Sequence, residues 1–373
     1  MASTHLWKET PLLHSKHISK TIGCNAYLKL ENLHPSHSFK YRGISHFVQL
    51  AKEKHGSGIH IVIASGGNAG LAAAAASRAL EVKCTIFIPE GAASRTVTFL
   101  RNLDADVVIV GRCYAQALDA ARSALEKDAN AIMVPAYDDP LVWEGHSTMI
   151  DEISRQLPAG CKPDAIVCSV GGAGLLGGIV IGCSNIGWDD VPIVTVETWG
   201  SDCFYHSVAL NRQGSHNIPP NCTKIQDTKT GLCLAKFSSF TSMASGSLGA
   251  PSPAPDVLKM SLKRPGGIRC ISIPDELCLQ NMLSFADDHK IMVELACAAT
   301  LSLAYKPSLV NALVPVVEGK DSTHRNIVFI ICGGFKVTVD EMIEYRRLLM
   351  EDMQRGNTWN VSGPDGRPIT VCK

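Results

Sequence analysis

From about residue 59 onward, short runs of apolar and β-branched residues alternate with longer stretches whose apolar positions recur at helical spacing. That alternation predicts βα units around a parallel sheet. Runs at 59–64, 84–89, 107–110 and 131–135 read as strands, with helices at 71–80, 95–103 and 114–127 between them. A second series follows. It opens with a helix at 140–157, continues through strands at 165–169, 193–197, 270–273 and 327–332, and closes with a helix at 339–353. The fold class is α/β, in two domains that each carry a mainly parallel twisted sheet flanked by helices. Between 205 and 255 the periodicity fails and Ser, Thr, Gly, Pro and Asn dominate, which predicts a long irregular excursion. The stretch 354–373 is polar and is expected to pack loosely. No internal repeat is visible.

A length of 373 residues with 46% apolar content supports two cores. Lys plus Arg and Asp plus Glu number 35 each, so bulk charge attracts neither nucleic acid nor an anionic membrane, and a small-molecule partner is expected. Residues 1–20 lack the apolar stretch of a secretory signal, and the longest apolar runs fall far short of the roughly 20 residues that span a bilayer. The 14 cysteines are scattered without a C-x-x-C pair, which suits reduced core thiols and a cytoplasmic protein.

Three stretches carry candidate chemistry. Cys168-Ser169-Val170-Gly171-Gly172-Ala173-Gly174-Leu175-Leu176-Gly177 sets a glycine-rich turn between strand and helix, where N–H groups and the helix dipole favour a bound phosphate. Read only as structure, it is a tight turn with close packing. It also contains Gly172-x-Gly174-x-x-Gly177 with Glu197 twenty residues on, so a nicotinamide enzyme is a rival reading. Against that rival, the fingerprint arrives after a complete α/β unit. A second turn, Ser65-Gly66-Gly67-Asn68-Ala69-Gly70, offers N–H groups for a carboxylate and a side-chain amide for a fixed oxygen, yet Gly-Gly-Asn is also simply a good turn. Lys40, between Phe39 and Tyr41, is either a desolvated Schiff-base nucleophile or an ordinary surface charge, and its neighbours alone leave both open.

Taken in order, Ser38-Phe39-Lys40-x-Arg42-Gly43, Ser65-x-Gly67-Asn68-Ala69-Gly70, Gly171-Gly172-x-Gly174-Leu175 and Cys332-Gly333-Gly334 resemble the serine and threonine dehydratases of pyridoxal-phosphate fold type II, the tryptophan synthase β-like group. The resemblance runs over roughly residues 5–350, and Glu197-Thr198-Trp199-Gly200 with the segment 138–146 looks like the L-serine dehydratase branch in particular. It implies a small domain at 37–143 and a large cofactor-binding domain made of 1–36 and 144–353. It also implies β-elimination of L-serine and L-threonine to pyruvate or 2-oxobutanoate and ammonia, in a homodimer. Lys40 then carries pyridoxal phosphate as a Schiff base and acts as the catalytic base. Phe39 packs on the cofactor, Asn68 bonds its ring oxygen, and Gly171, Gly172, Ala173, Gly174 and Leu175 cradle its phosphate. Cys332 faces the pyridine nitrogen, and Ser65, Gly66, Asn68 and Ala69 hold the substrate. A monovalent cation, K+ being the candidate, is implied near Gly171, Glu197, Ser201, Cys203, Leu248 and Ala250.

The resemblance leaves neighbouring chemistries to weigh. Racemisation needs a donor opposite Lys40, where similar racemases have a serine and this chain has Gly66, so elimination ranks above it. β-Replacement on the same scaffold and a non-catalytic cofactor-binding protein are further alternatives. Three positions depart from the family pattern. Ala173 replaces a common Gly, with little effect expected if its φ is below zero. Leu295 replaces a proline, and Lys336 stands where Asn is usual, which opens the way to a specialised acidic substrate or simply points the lysine to solvent. With only a helix and a polar tail after Val337, the chain is expected to be of the short, catabolic kind.

Overall fold

The computed structural model describes residues 5–212, 216–314, 316 and 322–373; residues 1–4 of the N-terminal segment and 213–215 of the excursion lie outside these. Two sheets organise the described chain. The larger has eight strands in the order Leu12–His14, Asn25–Lys29, Asn326–Ile330, Ala165–Ser169, Ile193–Thr198, Ile268–Ile273, Thr358–Ser362, Pro368–Cys372. Its five central strands are parallel and its edges antiparallel. The smaller sheet is all parallel, ordered Asp106–Ile109, Lys83–Ile88, His60–Ala64, Ala131–Met133. Strands such as Ala165–Ser169 and His60–Ala64 are buried along their whole length, because helices cover both faces, and so they read as continuous apolar runs.

Two expectations need correction. Residues 354–373 do not pack loosely: Thr358–Ser362 and Pro368–Cys372 form a hairpin that extends the large sheet, with Trp359, Val361 and Val371 buried. A two-residue alternation sends its few apolar side chains inward, and average polarity hides that pattern. The excursion is likewise structured, holding the helix Cys203–Arg212, the hairpin of Cys222–Gln226 with Cys233–Phe237, and the short helix Ser245–Leu248. Its turn is fixed by Asp227, whose carboxylate accepts from Thr230 N at 2.7 Å. The strands at Leu12–His14 and Asn25–Lys29 lie before the region in which the periodicity is clear.

Two features set the positions of the site elements. Helix Gly174–Asn185 lies close against Pro140–Gln156 through glycines: a Cβ on Gly177 would come within 2.9 Å of Trp143, and one on Gly178 within 2.3 Å of His146. Helix Lys40–His55 is tied down two residues in. There the fully buried Arg42 donates to both oxygens of Glu31 (2.8 and 3.0 Å) and both of Glu152 (2.6 and 3.0 Å). Lys29 Nζ adds a 2.6 Å bond to Glu152. A buried network of this kind penalises loss of any one member, since the partners are left charged and unpaired. Arg42 thereby holds the first turn of the helix, and Lys40 with it.

Candidate active site

A cavity of about 800 Å³ opens where loops follow the C-terminal ends of parallel strands in both sheets. It is lined by the turn from Ser65 to Ala69 after His60–Ala64, by Val170 to Leu175 after Ala165–Ser169, by Cys332 and Gly333 after Asn326–Ile330, and by the segment from Ser245 to Pro251. Phe39 and Lys40 line it too.

Lys40 Nζ donates to Ala136 O at 2.5 Å and stands 5.3 Å from the Phe39 ring centroid. Desolvation lowers its pKa to about 8, with a smaller opposing effect from Cys332. The Phe39 ring in turn packs 4.9 Å from His146, whose imidazole is held well below its usual pKa, first by burial and then by the nearby Lys40 charge. Asn68 opens helix Asn68–Ala79, and its side chain is held on both ends: Nδ2 donates to Ser247 Oγ and Glu294 Oε2 at 3.1 Å each, and Oδ1 accepts from Phe335 N at 3.3 Å. Cys332 Sγ is buried 3.6 Å from Ser169 Oγ, and Phe39 N donates to Cys332 O at 3.0 Å. Ser65 Oγ accepts from Gly67 N at 3.3 Å, and a Cβ on Gly66 would meet Ile88 Cγ2 at 3.1 Å.

In the glycine-rich turn, a Cβ on Gly172 would fall 2.4 Å from the Tyr137 ring and one on Gly171 would fall 3.0 Å from Leu248 O. Ala173 contradicts the condition under which its methyl was expected to be harmless. Its φ is +71° and ψ 8°, the left-handed region, where a non-glycine residue costs about 1–2 kcal/mol.

The candidate cation residues share one neighbourhood. Cys203 Sγ donates to Gly171 O at 3.6 Å, Ser201 Oγ is buried with no hydrogen-bond partner among the described residues, and Ala250 N donates to Leu248 O at 2.8 Å. Glu197 is fully buried and accepts from Phe204 N at 2.9 Å and Tyr205 N at 2.5 Å at the start of helix Cys203–Arg212. Burial, then Asp202, pushes its carboxyl well above the usual carboxylate range. Among the described residues, no group of three or more His, Cys, Asp and Glu side chains is placed to hold a metal ion. The burial of Glu197 also removes the nicotinamide reading, because its carboxylate faces the Cys203–Arg212 helix and cannot reach a ribose.

Residue-by-residue reading of the sequence passes over Glu294. Its Oε1 accepts from Lys336 N at 3.0 Å, while its Oε2 accepts from Asn68 Nδ2 and, at 2.5 Å, from Ser247 Oγ. The signal available was a lone carboxylate inside the apolar run from Ile291 to Ala299. Lys336 does not point away to solvent: it lines the cavity, and its Nζ donates to Gly246 O at 2.9 Å.

A family model described as pyridoxal-phosphate dependent enzyme matches residues 4–333. The L-serine dehydratase/L-threonine deaminase of Bos taurus is 35% identical over 353 residues, which is 94% of this chain and 98% of that protein. The L-serine dehydratase of Dictyostelium discoideum is 35% identical, with 87% of each chain covered. Among solved structures, a fungal L-serine ammonia-lyase from Rhizomucor miehei superposes with a TM-score of 0.77 at 31% identity, covering 91% of this chain and 98% of that one.

Proposed function

Because the chain belongs to the family of pyridoxal-phosphate dependent enzymes, we propose that it is an L-serine and L-threonine dehydratase, releasing pyruvate or 2-oxobutanoate and ammonia. The carrying observation is Lys40, a desolvated amine on the wall of the 800 Å³ cavity that a glycine-rich turn at a helix N-terminus also lines. These residues suit pyridoxal phosphate. Among the described residues Lys40 Nζ donates only to a carbonyl, so its amine is available to an aldehyde, and the turn from Gly171 to Leu175 offers N–H groups to a phosphate. Phe39 flanks the amine, Asn68 would turn one amide hydrogen from Ser247 to the ring oxygen, and the Cys332 thiol would face the pyridine nitrogen.

The chemistry pyridoxal phosphate supplies when bound is an electron sink for the bond cleaved at Cα. The chain supplies the rest. Lys40 Nζ, whose neutral fraction rises through about pH 8 and not near 10.5, is the base that takes up the α-proton. Ser65, Gly66, Asn68 and Ala69, at the start of the Asn68–Ala79 helix, hold the carboxylate and fix the Cα–H bond toward Lys40. Gly66 places no acid on the opposite face, which favours elimination over racemisation.

The reading extends to a K+ ion held by Glu197, Ser201 and Cys203 with the backbone at Gly171, Leu248 and Ala250. The orphaned Ser201 Oγ supports it. Activity in K+ should exceed that in a buffer without alkali cations, and Glu197→Gln should lose the difference. Two domains, 37–143 and 1–36 with 144–353, are supported by separate apolar cores around the two sheets. A cytoplasmic homodimer completes the proposal. The 14 unpaired cysteines suit a reducing compartment, and light scattering tests the dimer.

The decisive experiment is a visible spectrum of the purified protein with pyridoxal phosphate, before and after L-serine, with pyruvate assayed alongside and Lys40→Ala as control. A cofactor band absent from the variant, and pyruvate from the wild type, is the expected result. A band without pyruvate or 2-oxobutanoate would overturn the assigned reaction.

A further inference from the structure

Of the departures seen in the sequence, only Lys336 brings a charge into the cavity wall. Its ammonium donates to Gly246 O and stands 3.1 Å from where a side chain on Gly67 would begin, so it reaches across from the segment at Ser245–Leu248 to the substrate turn. No carboxylate among the described residues pairs with it within 4.0 Å. The nearby charges are committed elsewhere. Glu294 spends its oxygens on Lys336 N, Asn68 and Ser247. Arg95 donates to the Lys336 carbonyl, and its guanidinium lies 3.9 Å from Glu341.

An ammonium has three donors, and among the described residues a single neutral carbonyl accepts from it. The α-carboxylate of a serine-like substrate has its own partners in the N–H groups that open the Asn68–Ala79 helix, and a hydrogen or methyl on Cβ offers Lys336 nothing. We propose that Lys336 recognises a second anionic group on the substrate, so that the preferred class is a 3-hydroxy amino acid with a carboxylate on Cβ, as in threo-3-hydroxyaspartate. This rests on the dehydratase reading above and names its substrate class. In the reaction the Cα–H bond breaks with its proton passing to Lys40, and the Cβ–O bond breaks with the hydroxyl taking up one proton and leaving as water, so that the hydrogen of Cα and the hydroxyl of Cβ are lost together as H2O. One water then hydrolyses the C=N bond, so hydroxyaspartate gives oxaloacetate and ammonia without any external oxidant or reductant. Carboxylate and ammonium form a charge-assisted pair in a partly desolvated site, the kind of contact that discriminates strongly between substrates.

The test compares kcat/KM for threo-3-hydroxyaspartate and L-serine in the holoenzyme and in Lys336→Asn, with Lys336→Arg as a variant that keeps the charge. Calorimetry on the same proteins compares binding of succinate with that of butyrate. The hydroxyaspartate-to-serine ratio should fall about tenfold or more in Lys336→Asn and recover partly in Lys336→Arg. Succinate should bind the wild type more tightly than butyrate, and that preference should vanish in Lys336→Asn. Serine turnover without hydroxyaspartate turnover would overturn the proposal while leaving the dehydratase reading intact. So would an equal loss on both substrates, which would assign Lys336 to the α-carboxylate they share. If neither substrate turns over, the dehydratase reading fails, and the succinate comparison still decides whether Lys336 pairs with a second anion.

Discussion

Lys40 shows how one side chain acquires its chemistry from what surrounds it. The amine is packed among protein atoms with a single carbonyl partner among the described residues, and loss of hydration disfavours the ammonium form. A lysine with an ordinary pKa gains a neutral amine only as pH rises toward 10.5, whereas here the neutral fraction rises through about 8. Capture of pyridoxal phosphate by the cofactor-free protein should therefore accelerate between pH 7 and 9 and then level off, as stopped-flow absorbance can follow. A rate still climbing steeply above pH 9 would contradict this. Ala173 shows the opposite case, a residue working against its surroundings. Its φ of +71° suits glycine, so Ala173→Gly should stabilise the fold by about 0.5–1 kcal/mol, read as a higher midpoint in urea. Unchanged or lower stability would mean that the methyl's burial outweighs the strain. The side-chain period of the sequence places Ala173 at the mouth of a helix but says nothing of the sign of φ, which depends on how the chain must turn from the sheet into the helix.

Long elements with a sustained period and strands that read as continuous apolar runs announce themselves, and short hairpins with few apolar positions do not. Helices Tyr114–Lys127 and Val339–Met353 fall where the helical spacing puts them, and the strands Ala165–Ser169 and His60–Ala64 match their apolar runs to within a residue. The C-terminal hairpin escapes the same reasoning because its stability is lodged in Trp359, Val361 and Val371 while the residues between them face water. Trp359 is its anchor. The indole N–H donates to Asp352 Oδ2 at 2.8 Å, and Lys306 and Lys373 lie 5.2 and 5.4 Å from the ring. Trp359→Ala should cost about 3 kcal/mol or more in equilibrium unfolding. It should also loosen Tyr205, whose hydroxyl donates to Gly363 O at 3.0 Å and whose N–H holds Glu197. A change below about 1 kcal/mol would show the hairpin to be an ornament of the sheet edge.

At the scale of the molecule, the site is assembled from loops of two sheets, and this is why motifs far apart in the chain had to be read together before any of them meant much. Each turn alone is compatible with plain structure. Only their convergence on one cavity lets two glycine-rich turns and a desolvated lysine be read as one site. What joins the halves is not visible in any motif. Glu294, from the large-sheet side, bonds Asn68 on the other and also holds Ser247 and the backbone of Lys336. A carboxylate with charge-assisted bonds to three segments contributes more to their relative placement than any neutral bond could. Glu294→Ala leaves Lys40 untouched while removing one of the two acceptors that hold the Asn68 amide. It should therefore weaken retention of pyridoxal phosphate about tenfold, measured by equilibrium dialysis, with a smaller change in thermal midpoint than Trp359→Ala produces. Glu294→Gln, which can still accept from Ser247, should fall between the two. If dialysis finds the cofactor held as tightly in both variants as in the wild type, the halves are joined by packing alone and the orientation of Asn68 is set by its bond from Phe335 N.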